Sequence, residues 1–104
     1  MFIKHASEQK IKQELKEIIG DYLDLDEYDI FFFGSRVSKA HEVSDRADID
    51  VGINGKHPVE PVKLEKIKEE VKELPVLYKI DVVDFQSTSK DFREVALENT
   101  EPIA

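Results

Sequence analysis

From about Ser7 to Leu23 the apolar residues Ile11, Leu15, Ile18, Ile19 and Tyr22 return every three or four positions, with lysine and glutamate between them. That spacing predicts an amphipathic helix. Ser7 is placed as its N-cap, and Glu8 suits the positive end of the helix. An acidic turn from Leu23 to Tyr28 separates it from Asp29–Phe33, a run apolar on both faces and therefore expected as a central strand. Gly34-Ser35 ends that run, and a short helical turn through Ala40 and a polar loop over residues 41–46 are expected to follow. The second strand is expected over about Ala47–Ile53. Strand parity puts Ile49, Val51 and Ile53 on its buried face and Asp48, Asp50 and Gly52 on the other, with Asn54-Gly55 closing it as a turn.

Pro61 suits the first position of a second helix, whose stripe is Val62, Leu64, Ile67, Val71 and Leu74, with Pro75 ending it. A third strand is expected over Val76–Phe85 and a last helix over Ser87–Glu98, anchored by Phe92, Val95 and Ala96 and followed by a short tail. A helical crossover between the second and third strands argues that they run parallel, and an antiparallel first pair is allowed. The fold class that results is α/β, in the α+β sense: a small mixed sheet of about three to four strands flanked by helices. A length of 104 residues suits one domain over residues 1–104.

Composition narrows the function classes. There is no cysteine, which removes disulfides and thiolate chemistry. No stretch approaches ~20 apolar residues, so no membrane span is expected, and charged residues interrupt any leader-like run at the start. A cytoplasmic location is the expectation. The net charge of −8 disfavours stable binding to nucleic acid, where Lys and Arg on phosphates supply most of the affinity. It leaves room for a nucleotide accompanied by magnesium and for a basic protein partner.

The candidate chemistry lies where the first two strands end and begin. Gly34-Ser35 followed by a helical turn offers backbone N–H groups to an anion, with Arg36 beside it to meet a phosphate or pair with an aspartate. Asp48 and Asp50 share a strand face ~7 Å apart, although aspartate is disfavoured in strands. Two like charges so close repel, and a divalent cation removes the conflict; magnesium is commonly held by one or two carboxylates together with substrate phosphates. A third carboxylate comes from the third strand. Asp81 and Asp84 differ in parity, so one of them can join the pair; Asp81 is expected to be the deeper and is preferred, with Asp84 as the alternative. The lysine and glutamate residues from Lys63 to Glu73 read as a solvated helix face, and His5, His41 and His57 lack ligand spacing.

Gly34-Ser35-Arg36, then Asp48-x-Asp50, then a later strand with Asp81 resembles the DNA polymerase beta-type nucleotidyltransferase superfamily, and most of all its minimal nucleotidyltransferases, the MntA-like group. The chain departs from that pattern at Lys39 or Ala40, where a second glycine is usual, and at Ala47, where serine is usual. The resemblance implies that Gly34, Ser35 and Arg36 bind nucleotide and that Asp48, Asp50 and Asp81 are catalytic and hold two magnesium ions. It implies transfer of AMP from ATP to an acceptor hydroxyl with release of pyrophosphate, Asp81 serving or orienting the acceptor's base. It also implies a HEPN-domain helical partner that supplies the acceptor, this chain being the antitoxin of the pair; a homo-oligomer stays open. The alternative is a non-catalytic subunit that neutralises a basic helical partner by contact, drawn by complementary charge.

Overall fold

In a computed structural model, which describes residues 8–34, 48–76 and 78–103, the chain folds as a four-stranded mixed sheet with helices on both faces. The elements are α1 (Glu8–Gly20), β1 (Tyr28–Phe33), β2 (Ile49–Gly55), α2 (Pro61–Lys72), β3 (Ile80–Asp84), a single 3-10 turn (Phe85–Ser87), α3 (Lys90–Ala96) and β4 (Thr100–Pro102). The sheet order is β3-β2-β1-β4. β1 pairs antiparallel with both β2 and β4, whereas β2 and β3, joined through α2, run parallel. The expected helix N-cap Ser7 and the expected turn and loop over residues 36–46 lie outside the described residues.

Strand alternation splits the apolar residues between two cores. On one face Ile30 and Phe32 of β1, Ile49, Val51 and Ile53 of β2 and Val82 of β3 meet Ile11, Leu15 and Ile19 of α1 and Ile67 and Val71 of α2. This is the main core. Lys12 ties α1 to the opposite end of the chain, lying 3.2 Å from Glu101 in β4 and 3.7 Å from Glu8 one turn away.

The other face carries a smaller aromatic core of Phe31, Phe33 and Phe85, with Val83 and Ala96 against it. The rings meet edge to face, with Phe85 centred 4.9 Å from Phe31 and 5.0 Å from Phe33, a geometry that suits the aromatic quadrupole. Gly52 makes this packing feasible. A Cβ there would stand 2.5 Å from the Phe31 ring and 2.8 Å from Phe85, so any side chain would force the rings apart.

Several boundaries differ from expectation. Asn54-Gly55 does not close β2 as a turn; both residues stay in the strand, opposite Asp29 and Tyr28. In β3 only Ile80–Asp84 is strand, because Phe85 turns over the sheet edge. Val62 faces solvent at 61% exposure, since the buried stripe of α2 begins a turn later with Ile67 and Val71. The last helix is shorter than its apolar spacing suggests. Ser87 belongs to the 3-10 turn, Ser89 caps α3 by accepting a hydrogen bond from the Phe92 N–H at 3.1 Å, and no residue of α3 is buried. Phe92 and Val95, expected as anchors, stand 40% and 68% exposed. The supposed tail is a strand: Thr100, Glu101 and Pro102 pair with Phe33, Phe32 and Phe31. Three residues ending in proline carry little propensity of their own, and the open edge of β1 supplies the template.

Candidate active site

The parallel register of β2 and β3 sets Asp50 directly beside Asp81, and paired residues on neighbouring strands share a face. That face is the aromatic one, next to Phe33, which pairs with Asp50 from the β1 side. Asp48 lies just before β2, half-buried, with the same parity as Asp50. Asp81 is partly solvated, its side chain 40% exposed, with Lys79 Nζ 3.7 Å from its Oδ1.

Asp50 feels this arrangement. Burial in the first place, then the charges of Asp81 and Asp48, push its carboxyl above the usual carboxylate range. A group held above its unfolded value contributes stability below that value and loses it as pH rises through the folded one. The metal-free protein should therefore be strained at neutral pH. Asp50→Asn should raise its melting temperature at pH 7, by less than the ~4–8 °C that 1 kcal/mol moves a domain of this size, because a half-exposed carboxylate is screened. The gain should vanish as pH falls below the ordinary aspartate range. Thermal melts across pH check this, and a gain that persists in acid would contradict it.

Gly34 completes the described part of the site. It closes β1 with φ at +86°, a conformation L side chains rarely adopt, and a Cβ on it would stand 2.5 Å from Asp50 Oδ2. The absence of a side chain thus lets the turn approach the carboxylate. Ser35 and Arg36, the other two residues expected to bind nucleotide, lie outside the described residues.

Asp84 is the buried aspartate, contrary to the expectation that Asp81 lies deeper. It is 4% exposed and satisfied by protein donors: the Val59 N–H at 2.9 Å, the Gln86 N–H at 3.1 Å and the Ser87 hydroxyl at 3.0 Å. It pairs with Ile53, on the main-core face, so its parity turns it away from Asp50. Asp84 ties the segment before α2 to the turn that carries Phe85 beneath the aromatic face. An aspartate ending a strand before a polar Gln-Ser-Thr run is a capping signal, and the sequence holds it at Asp84-Phe85-Gln86-Ser87.

Among the described residues no three acidic or histidine side chains are gathered tightly enough to enclose a metal ion by themselves. The donor chemistry nonetheless fits magnesium. Asp50 and Asp81 offer hard oxygens side by side, their repulsion is what a divalent cation relieves, and magnesium takes its remaining ligands from water and phosphate.

Comparison with known proteins decides the family. The family described as Polymerase beta, Nucleotidyltransferase matches residues 9–104. The chain belongs to this family. One relative of the nucleotidyltransferase, the probable protein adenylyltransferase MntA of Haemophilus influenzae, is 33% identical over 86 residues, which is 82% of this chain and 68% of the relative. Among solved structures, a chain of the complex of tri-AMPylated Shewanella oneidensis HEPN toxin with MNT antitoxin superposes with a TM-score of 0.69 at 14% identity, over 94% of this chain and 72% of its own length. A toxin–antitoxin structure with AMP-PNP gives a TM-score of 0.68 at 14% identity, covering 89% of this chain and 72% of the matched one. At that identity the structural likeness establishes the nucleotidyltransferase fold, to which the mixed sheet and its flanking helices correspond.

Proposed function

We propose that this nucleotidyltransferase transfers AMP from ATP, with magnesium, to a hydroxyl of a HEPN-type partner protein, as the antitoxin of a toxin–antitoxin pair in the cytoplasm. The observation that carries the reading is the Asp50–Asp81 register pair beside Gly34, in a chain 33% identical to a probable protein adenylyltransferase. The neighbouring fold found in complex with an AMPylated HEPN toxin supports the choice of partner.

Asp48, Asp50 and Asp81 would hold the metal. Magnesium, when bound, supplies positive charge that offsets the carboxylates and the phosphates of the nucleotide. Gly34, Ser35 and Arg36 would bind those phosphates. Asp81, on the edge strand β3 and partly solvated, orients the acceptor hydroxyl and takes its proton. The acceptor oxygen bonds to the α-phosphorus as the bond to the bridging oxygen breaks, and pyrophosphate leaves. The chain's part is positioning and electrostatics, which dominate phosphoryl-type transfer.

A non-catalytic reading keeps one observation in its favour, the charge of −8, which suits a basic partner held by contact alone. Ligand-linked stability separates the two. ATP with magnesium should stabilise the wild type by mass action, ~2.7 kcal/mol at a hundredfold excess over Kd, and Asp48→Asn should lose most of that shift. Equal ATP-magnesium shifts in wild type and Asp48→Asn would favour the contact reading.

A further inference from the structure

A cleft of about 350 Å³ opens beside the carboxylates, lined by Phe33, Gly34, Phe92, Val95, Ala96, Glu98 and Asn99. Two of those residues link it to the site already described. Phe33 is the register partner of Asp50, and Gly34 is the residue whose missing side chain leaves room for the Asp50 carboxylate. Across the sheet the order is thus Asp81, Asp50, Phe33 and Thr100, with strands ~4.8 Å apart. The cleft begins one strand spacing from Asp50, a distance that a ribose bridges.

Its chemistry is specific. Phe92 is not a loosely tethered surface ring. It meets Phe33 at 6.0 Å and Phe85 at 5.6 Å, both edge to face, while the Arg93 guanidinium next to it donates to the Phe85 and Thr88 carbonyls at 3.2 and 3.0 Å. The ring is fixed on its inner side and open at 40% exposure on the other. Val95 adds an exposed aliphatic wall, and Asn99 a side-chain amide with two donors and an acceptor. A packed, half-exposed aromatic over a largely apolar cleft, with the Asn99 amide and the Glu98 carboxylate among its lining, suits a flat heterocycle whose polar edges carry N–H donors as well as acceptors.

We infer that this cleft is the base subsite, in which the adenine of the donor nucleotide stacks on Phe92 while its polar edge meets Asn99. The inference rests on the nucleotide-transfer reading and adds the residues that hold the base. It also accounts for the exposure of Phe92 and Val95 in an otherwise amphipathic segment.

The test compares binding of AMP-PNP and of inorganic tripolyphosphate, each with magnesium, by calorimetry on the intact protein. Phe92→Ala should weaken AMP-PNP by about 5- to 100-fold, the range a base–aromatic stack contributes, and leave tripolyphosphate unchanged. Phe92→Trp, which keeps a π-face, should bind AMP-PNP as the wild type does. Undiminished AMP-PNP affinity in Phe92→Ala would overturn the inference, as would an equal loss for both ligands, which would make the ring a support of the fold. Loss of binding to a HEPN-type partner with AMP-PNP affinity intact would assign the cleft to a protein side chain instead and also overturn it. If wild type binds tripolyphosphate and AMP-PNP equally well, the base has no subsite, although the metal–phosphate reading stands. Failure of wild type to bind either ligand would remove that reading and the inference with it.

Discussion

Asp84→Ala should cost roughly 3–5 kcal/mol of folding stability, a fifth or more of the ~5–15 kcal/mol a domain commonly possesses. The carboxylate accepts three hydrogen bonds while only 4% exposed. Bonds to a charged acceptor are worth ~1.5–3 kcal/mol each, and a buried donor left unpaired costs ~1–3 kcal/mol. The donors that lose their partner lie in two segments that the Asp84 side chain connects, the approach to α2 and the 3-10 turn. The turn's Phe85 is fully buried between Phe31 and Phe33, so loosening it reaches the aromatic face. Asp84→Asn keeps one acceptor oxygen and should lose about half as much. Urea denaturation measures both, and a change below ~1 kcal/mol in the alanine variant would show that water replaces the carboxylate without penalty.

Much of this architecture was legible in the pattern of apolar residues, for reasons that differ from element to element. α1 and β2 read directly because their buried residues keep strict periods: Ile11, Leu15 and Ile19 on a helix, and Ile49, Val51 and Ile53 on a strand. The parallel pairing of β2 and β3 followed from the helical crossover that joins them. β4 was not legible, because three residues ending in proline become a strand only against the free edge of β1. The exposure of Phe92 and Val95 escaped periodicity for a related reason. An apolar spacing states that two residues share a helix face, not that the face is covered, and α3 is too short to lay its whole stripe on the sheet.

The aspartates divide along the same line. Parity alone separated Asp81 from Asp84, and the register shows Asp81 beside Asp50 with Asp84 on the opposite face. Depth misled, because β3 is an edge strand: its second residue is open to solvent, and its last is sealed by the turn that follows. The Gly34 turn was legible as a glycine ending an apolar strand, but its contact with Asp50 depends on the antiparallel register of β1 and β2. That register, more than any motif, assembles the candidate site.

Asp50→Ala should remove catalysis without removing the fold. Asp50 is flanked by Asp81 in register and by Asp48 in sequence, and burial and both charges act on it. On the proposed reading it is the carboxylate on which the site's electrostatics most depend. Its loss leaves two aspartates further apart and should lower transfer by at least ~100-fold, the scale on which losing a principal electrostatic group acts. Stability should be kept, because the variant also removes a like-charge conflict.

Intact-mass spectrometry of a HEPN-type partner, incubated with this protein, ATP and magnesium, separates catalysis from contact. Wild type should add one or more adenylyl increments to the partner. Asp50→Ala should add none, yet remain in complex with the partner on a sizing column. A wild-type protein that neutralises its partner with no change of mass, matched by Asp50→Ala, would contradict the enzyme and establish neutralisation by contact.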